Sequence, residues 1–193
     1  MMSSLTAVGR VIVVAGLVPS LVAVAQSSAH ITRPEPAMNA AYVELGGPGG
    51  FLSANYERYI DERFSARAGV ASWSITNLDN LHESMTSAIG SLSARWDISD
   101  FVGKGEGRFA EAGLAVSAGT YSRSRYSTLE SEGSFVTLLP MAGLRYQLPQ
   151  GGWMFRLTFT PYVPVAGRYV PLTDGPDLRA VAPGASLSGG YAF

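Results

Sequence analysis

The feature that most restricts this chain is a two-residue alternation, cleanest over residues 185–193. Ala185, Leu187, Gly189, Tyr191 and Phe193 fall on one face of an extended strand, and Ser186, Ser188, Gly190 and Ala192 on the other, because side chains alternate with period two. One face is apolar and ends in aromatics; the other is small and mostly polar. The same pattern marks seven further segments, so that strands are expected over residues 40–46, 51–60, 64–75, 85–98, 108–121, 135–148, 153–163 and 183–193. With 22 Gly and 11 Pro scattered along the chain, many short strands joined by turns are favoured over long helices. The fold class is all-β.

The chain opens with a different signature. Arg10 supplies a positive region, residues 11–24 an apolar one, and Ala23-Val24-Ala25 a small-residue cleavage site, so residues 1–25 read as a secretory signal. The apolar run is shorter than the roughly 20 residues a bilayer-spanning helix needs. Residues 26–39, polar and carrying Arg33-Pro34-Glu35-Pro36, read as an extended periplasmic leader that forms no regular ladder and is poorly ordered. Residues 40–193 then make one domain.

Composition narrows the class further. The chain has no cysteine, so hydrogen bonding and packing alone must hold an exported domain together. A formal net charge of -1 and the lack of any Lys/Arg-rich run argue against a nucleic-acid partner. Past the signal no apolar run is long enough to cross a membrane as a helix, so any membrane passage is by strands.

The connections supply sidedness. The second, fourth and sixth, residues 61–63, 99–107 and 149–152, are the shorter set; the third, fifth and seventh, residues 76–84, 122–134 and 164–182, are the longer. Such asymmetry is a property of outer-membrane barrels, with the short side periplasmic. The first connection, Gly46-Gly47-Pro48-Gly49-Gly50, is a tight turn on what should be the long side. On this topology Phe64, Trp96, Tyr146, Trp153, Tyr191 and Phe193 fall at periplasmic strand ends on the apolar face, as an aromatic girdle at a membrane interface would.

The opposite face collects charge. Glu44, Glu57, Arg67, Arg95, Asp97, Glu111, Arg145 and Arg156 all take the inward parity, four acids against four bases. Charges inside a narrow barrel are costly unless paired, so the set suggests an internal salt-bridge network. In a soluble sandwich the same residues would be a solvated face. Eight strands leave an interior that side chains just fill, which disfavours an open pore. Three residues resist the scheme: Arg58 takes the outward parity, and Pro140 and Pro161 fall inside strands, where they would mark bulges.

Taken together, the signal, the alternating strands, the loop asymmetry and the terminal Tyr191-Ala192-Phe193 resemble a small eight-stranded, antiparallel, up-and-down outer-membrane β-barrel of the OmpA-transmembrane/OmpX-like group. The resemblance rests on architecture and not on a residue motif. It implies a monomer in the bacterial outer membrane, surrounded by lipid and lipopolysaccharide, with the C-terminal strand addressed to the barrel-assembly machinery. It also implies no cofactor and no nucleic acid, and leaves any extracellular loop partner open.

Chemistry is sparse. His30 lies in the leader, so His82 is the sole candidate base, and His82-Glu83-Ser84 has the H-x-S spacing of outer-membrane lipid A deacylases of this barrel size. Ser84 as nucleophile and His82 as base would still need an acid to orient the imidazole. Asp79, His82 and Glu83 lack the number and spacing of a closed metal site, so no metal is expected. Arg123-Ser124-Arg125-Tyr126 reads as an outward basic-aromatic loop able to meet lipopolysaccharide phosphates. Three functions stay open: a non-enzymatic barrel serving envelope integrity or surface interaction, a lipid A-modifying enzyme, and a narrow OmpW-like channel for small or apolar solutes.

Overall fold

The computed structural model describes residues 36–76, 80–102, 106–126, 128–167 and 183–193. The expected signal peptide and residues 26–35 of the leader lie outside the described residues. Among the described residues nine strands are present: β1 Asn39–Gly46, β2 Leu52–Tyr59, β3 Phe64–Thr76, β4 Leu81–Asp97, β5 Arg108–Arg125, β6 Thr128–Gln147, β7 Gly152–Phe159, β8 Val163–Gly167 and β9 Ala185–Ala192. Each consecutive pair from β1 to β7 is antiparallel, β9 pairs with both β7 and β1, and the sheet thereby closes into a barrel.

The nine strands make eight staves, since β7 and β8 lie in succession against β6. β7 pairs with β6 from Gln147 to Ala142, β8 resumes at Leu138, and Pro140 and Pro161 face each other across the gap between them. Neither proline has an N–H to give, so the ladder lapses there. The register nevertheless resumes unshifted past both, which corrects the expectation of bulges at these positions. The irregularity falls instead between Val136 and Thr137, opposite Pro164 and Ala166.

Barrel height is uneven. β1, β2 and β9 have 8 residues each, whereas β4, β5 and β6 have 17, 18 and 20. Residues 81–84, 122–125 and 128–134, expected in loops, are therefore strand: β4 begins at Leu81 and the β5–β6 hairpin turns only around Tyr126. The period-two pattern persists along β4 and β5, with Leu81, Met85 and Tyr121 turned inward and hydroxyls replacing apolar residues on the outer face; on β6 it shifts at a bulge opposite Arg123 and Ser124, and the outer positions are Ser134, Glu132 and Leu129. Strand pairing tolerates that exchange.

At the rim bearing the chain's described ends, Asn39 and Phe193 exchange backbone bonds of 2.9 and 2.8 Å. Residues 36–39, expected in a loose leader, are docked: Ala37 is buried and its N–H reaches the Pro149 carbonyl at 2.9 Å. The β2–β3 turn is fixed by Asp61, whose Oδ1 accepts the N–H groups of Arg63 and Phe64, both at 2.7 Å. Those bonds to the ionised form hold its carboxyl below the usual range. Their contribution is complete above the ordinary Asp range and is lost as pH falls through the lowered value.

The opposite rim is closed from within. The β1–β2 turn, a 3-10 turn over Gly47–Gly49, folds into the lumen, and Gly47, Pro48 and Gly49 are all buried. Trp73 Nε1 donates to the Gly49 carbonyl at 3.3 Å, and the Tyr162 hydroxyl donates to that of Gly47. Around this plug the interior holds two apolar clusters, Ala71, Met85, Ile89 and Phe135 on one side and Ala115, Leu139, Met141 and Tyr162 on the other, with the buried Ser53, Asn55, Ser87, Ser117 and Thr137 among them. A second apolar layer, Ala37, Ala40, Tyr42, Met154 and Ala192, closes the rim of Asn39.

Gly47 has φ +67, and a Cβ there would lie 2.8 Å from Ser186 Cβ and 3.2 Å from Glu44 Cδ. Gly47→Ala is expected to destabilise the barrel by roughly 1–3 kcal/mol, the range for a non-glycine residue held in left-handed backbone. Gly90, where a Cβ meets nothing within 4 Å, provides the control: Gly90→Ala should leave the urea midpoint unchanged or raise it slightly.

Candidate functional site: a paired interior and a banded outer surface

Between the two apolar layers lies a continuous ion-pair network. Arg67 binds Glu44 at 3.1 Å, and Glu44 meets Arg156 at 3.8 Å. Arg156 approaches Glu57 at 3.5 Å and Glu111 at 3.6 Å, and Arg145 holds the same two carboxylates at 2.9 and 3.1 Å. Three acids and three bases from β1, β2, β3, β5, β6 and β7 thus meet with their charges balanced. All six are buried.

The arrangement resolves a conflict built into the register. Arg145 and Arg156 are direct cross-strand partners, and like charges so placed repel. Glu57 and Glu111 each contact both guanidiniums, so the repulsion is screened by two shared anions. Hydroxyls supply the remaining partners: Ser65 donates to Glu57 at 2.6 Å and Ser186 to Glu44 at 2.9 Å. The Tyr42 hydroxyl accepts from Arg156 at 2.6 Å and from Arg67 at 3.3 Å. Gln147 Oε1 accepts from Tyr59 at 3.0 Å and from Arg145 Nε at 2.9 Å.

Arg95 and Asp97 share the inward parity but stand outside the network. Arg95 stacks over Tyr59 at 3.9 Å and Phe109 at 4.7 Å, and its Nε donates to the Glu62 carbonyl. It caps the charged layer from the rim. Asp97 is exposed at the end of β4 and accepts the Ser99 N–H at 2.8 Å. Water reaches it there, so it needs no buried counter-charge.

Sequence reasoning passed over the neutral members of this site. Tyr42 and Tyr59 have the parity of Glu44 and Glu57, which was signal enough to place them inside. Tyr162 and the glycine-rich turn offered only a weaker one, a run of glycines too dense for a simple hairpin.

His82 and Ser84 do not come together as a base and a nucleophile. His82 Nδ1 pairs with Thr76 Oγ1 at 2.9 Å and Nε2 with Ser74 Oγ at 3.2 Å, while Ser84 Oγ pairs with Ser122 Oγ at 2.9 Å. Glu83 turns inward to Arg123 at 3.4 Å. Among the described residues no group of three or more His, Asp or Glu could hold a metal ion, and Asp79 lies outside them. The arginines expected on an outward loop are strand residues: Arg123 and Arg125 pair with Glu130 at 3.8 and 3.3 Å.

The outer surface is banded. Phe64, Trp96, Tyr146, Trp153, Tyr191 and Phe193 are exposed at the rim of Asn39, with Trp153 and Tyr191 in edge contact at 6.2 Å between centroids. Above them the outward positions are apolar: Ala66 to Val70 on β3, Leu92 on β4, Leu114 and Val116 on β5, Leu144 on β6, Leu157 on β7, Leu187 on β9. Val70, Leu92, Leu144, Leu157 and Leu187 are each more than half exposed.

No family model matches the chain, and no curated protein matches it. Among solved structures it is similar to the N-terminal β-barrel domain of Pseudomonas aeruginosa OprF, at 9% identity and a TM-score of 0.51 over 83% of this chain and 100% of that one. It is also similar to Ail, the attachment invasion locus protein of Yersinia pestis, at 13% identity and a TM-score of 0.48 over 84% and 100%. CarO2 of Acinetobacter baumannii gives 13% identity and 0.38 over the same shares. The first of these likenesses shows the fold, that of a closed antiparallel β-barrel.

Removing one shared anion exposes the network's logic. Glu57→Ala leaves Arg145 and Arg156 side by side in the interior with Glu111 as the one carboxylate they share, and a loss of about 3–5 kcal/mol is expected. Arg95→Ala, at the rim, should cost far less. Chemical unfolding of both variants in one detergent gives the comparison.

Proposed function

We propose that the protein is an integral barrel of the bacterial outer membrane, without catalytic activity, that serves envelope integrity or presents its far rim for surface interaction. The observation that carries this reading is the apolar outer band. It runs from Trp96 to Ala88 on β4 and from Ala110 to Ala118 on β5, close to the ~9–11 residues a tilted strand needs to cross hydrocarbon. A water-facing barrel has no reason to expose Val70, Leu92, Leu144, Leu157 and Leu187 around its circumference while burying six charges. Lipid gives that inversion its reason.

The exposed ring of Phe64, Trp96, Tyr146, Trp153, Tyr191 and Phe193 sits at one border of the band, where amphipathic rings favour the headgroup level. The interior favours a structural role over conduction, because charged and apolar layers fill it in turn and the β1–β2 turn plugs its far end. The separate partners of His82 and Ser84 favour no acyl-transfer chemistry. We propose the membrane lipid, including lipopolysaccharide, as the direct partner, and the assembly machinery as the partner of β9.

Fractionation tests the reading. The protein should sediment with outer membranes, require detergent for release and migrate differently on gels before and after heating; a monomer freely soluble in plain buffer overturns it. In planar bilayers the folded protein should give no steady conductance, whereas discrete open steps would establish the channel alternative. Unchanged lipid A mass spectra on expression separate it from a lipid-modifying enzyme. Leu92→Arg, at the middle of the band, should destabilise the barrel in a bilayer by about 2–4 kcal/mol.

A further inference from the structure

The apolar band ends along a single register row. Val70, Ala88, Ala118 and Val136 are mutual neighbours on β3, β4, β5 and β6 and form its last line. The next outward line, Ser72, Thr86, Thr120 and Ser134, is entirely hydroxyl. Beyond it come Ser74, Ser84 and Ser122 with Glu132, then Thr76, His82 and Ser124 with Leu129. β3, β4 and β5 thus carry a lattice of hydroxyls about 4.8 Å apart between strands, with Ser134 of β6 completing its first row.

We propose that this lattice is a contact surface for the sugar residues of glycolipids that pack around the barrel in the outer leaflet. The proposal rests on the membrane reading given above, which brings the first hydroxyl row to the level where acyl chains give way to headgroups. Continuity with the apolar band favours a lipid-borne partner: one molecule lays its chains on Val70, Ala118 and Val136 and its polar head on the rows above.

The chemistry selects sugar. The lattice carries no Lys or Arg, since Arg123 and Arg125 belong to the inward set and pair with Glu83 and Glu130. Its one carboxylate, Glu132, is unfavourable to phosphate. No aromatic residue stands in the rows, although aromatics mark the cores of protein–protein interfaces. Hydroxyls in short side chains lose little rotamer freedom on contact and both donate and accept, as sugar hydroxyls do. Ser72, Thr86, Thr120 and Ser134 are exposed, and the pairs Ser72–Thr86 and Ser84–Ser122, at 3.3 and 2.9 Å, hold the lattice in register.

The test uses full-length protein in a zwitterionic detergent, titrated with lipopolysaccharide that carries its core sugars and, separately, with lipid A stripped of them. The wild type should prefer the core-bearing form. Thr86→Val with Thr120→Val removes two hydroxyls while keeping strand-favouring side chains, and should weaken both core-bearing lipopolysaccharide and lipid A, whose own disaccharide head lies at this first row, about tenfold or more. Intermolecular nuclear Overhauser effects from sugar protons to the Thr86 and Thr120 methyl groups of the wild type are expected as well, and serve if the variant does not fold. Equal affinity for the two lipids, an unaffected variant, or no sugar contact at those methyls overturns the proposal. Failure of the membrane reading would show differently, as protein that needs no detergent at all.

Discussion

Everything in this structure follows from the closing of the sheet on itself. A strand in hydrocarbon cannot leave its N–H and C=O groups unpaired, and only a ring removes the two free edges an open sheet would keep. Here the ring is completed by β9, which pairs with β1 on one side and β7 on the other. Closure then dictates the interior. With eight staves, the space inside admits side chains and little else, so whatever points inward must satisfy itself. The six buried charges do so mainly by sharing one another, with Tyr42, Ser65, Ser186 and Gln147 adding hydrogen bonds, and only Arg67 Nε and Arg156 Nε among their side-chain atoms are left without a partner.

The outer and inner faces therefore obey opposite rules. Outside, apolar side chains stand exposed at regular intervals; inside, carboxylates and guanidiniums lie buried. In a water-soluble domain that distribution would cost stability on both counts. The apolar interior layers lie to either side of the charged one, at the plugged far rim and beside the Asn39 rim. They keep water from the ion pairs, and each pair is correspondingly stronger.

How much of this could be read from the sequence depends on which quantity is asked for. Which face a residue takes is a matter of parity, and parity is visible in the alternation of Glu44 with Tyr42, or of Arg145 with Gln147. How far a strand continues is less visible. Residues 81–84 and 122–125 keep their period but exchange apolar residues for Ser and His on the outer face, which by composition reads as loop. Who meets whom is not visible at all: Arg95 and Asp97 have the parity of the six, yet their positions near the rim let solvent and aromatic faces replace an ion pair. The tilt and stagger of staves decide that, and no local pattern encodes them. The paired prolines illustrate the same limit, since Pro140 and Pro161 are 21 positions apart and only the register reveals that they are opposite.

The inward-folded turn between β1 and β2 bears on how the barrel is made. Its seat is built from side chains far apart in the chain: Ser186 of β9 packs against Gly47, Tyr162 comes from the junction of β7 with β8, and Trp73 from β3. The tip of the first hairpin is therefore fully seated only where β9 lies beside β1. The turn works as a latch whose parts meet in the closed cylinder and not in an open sheet.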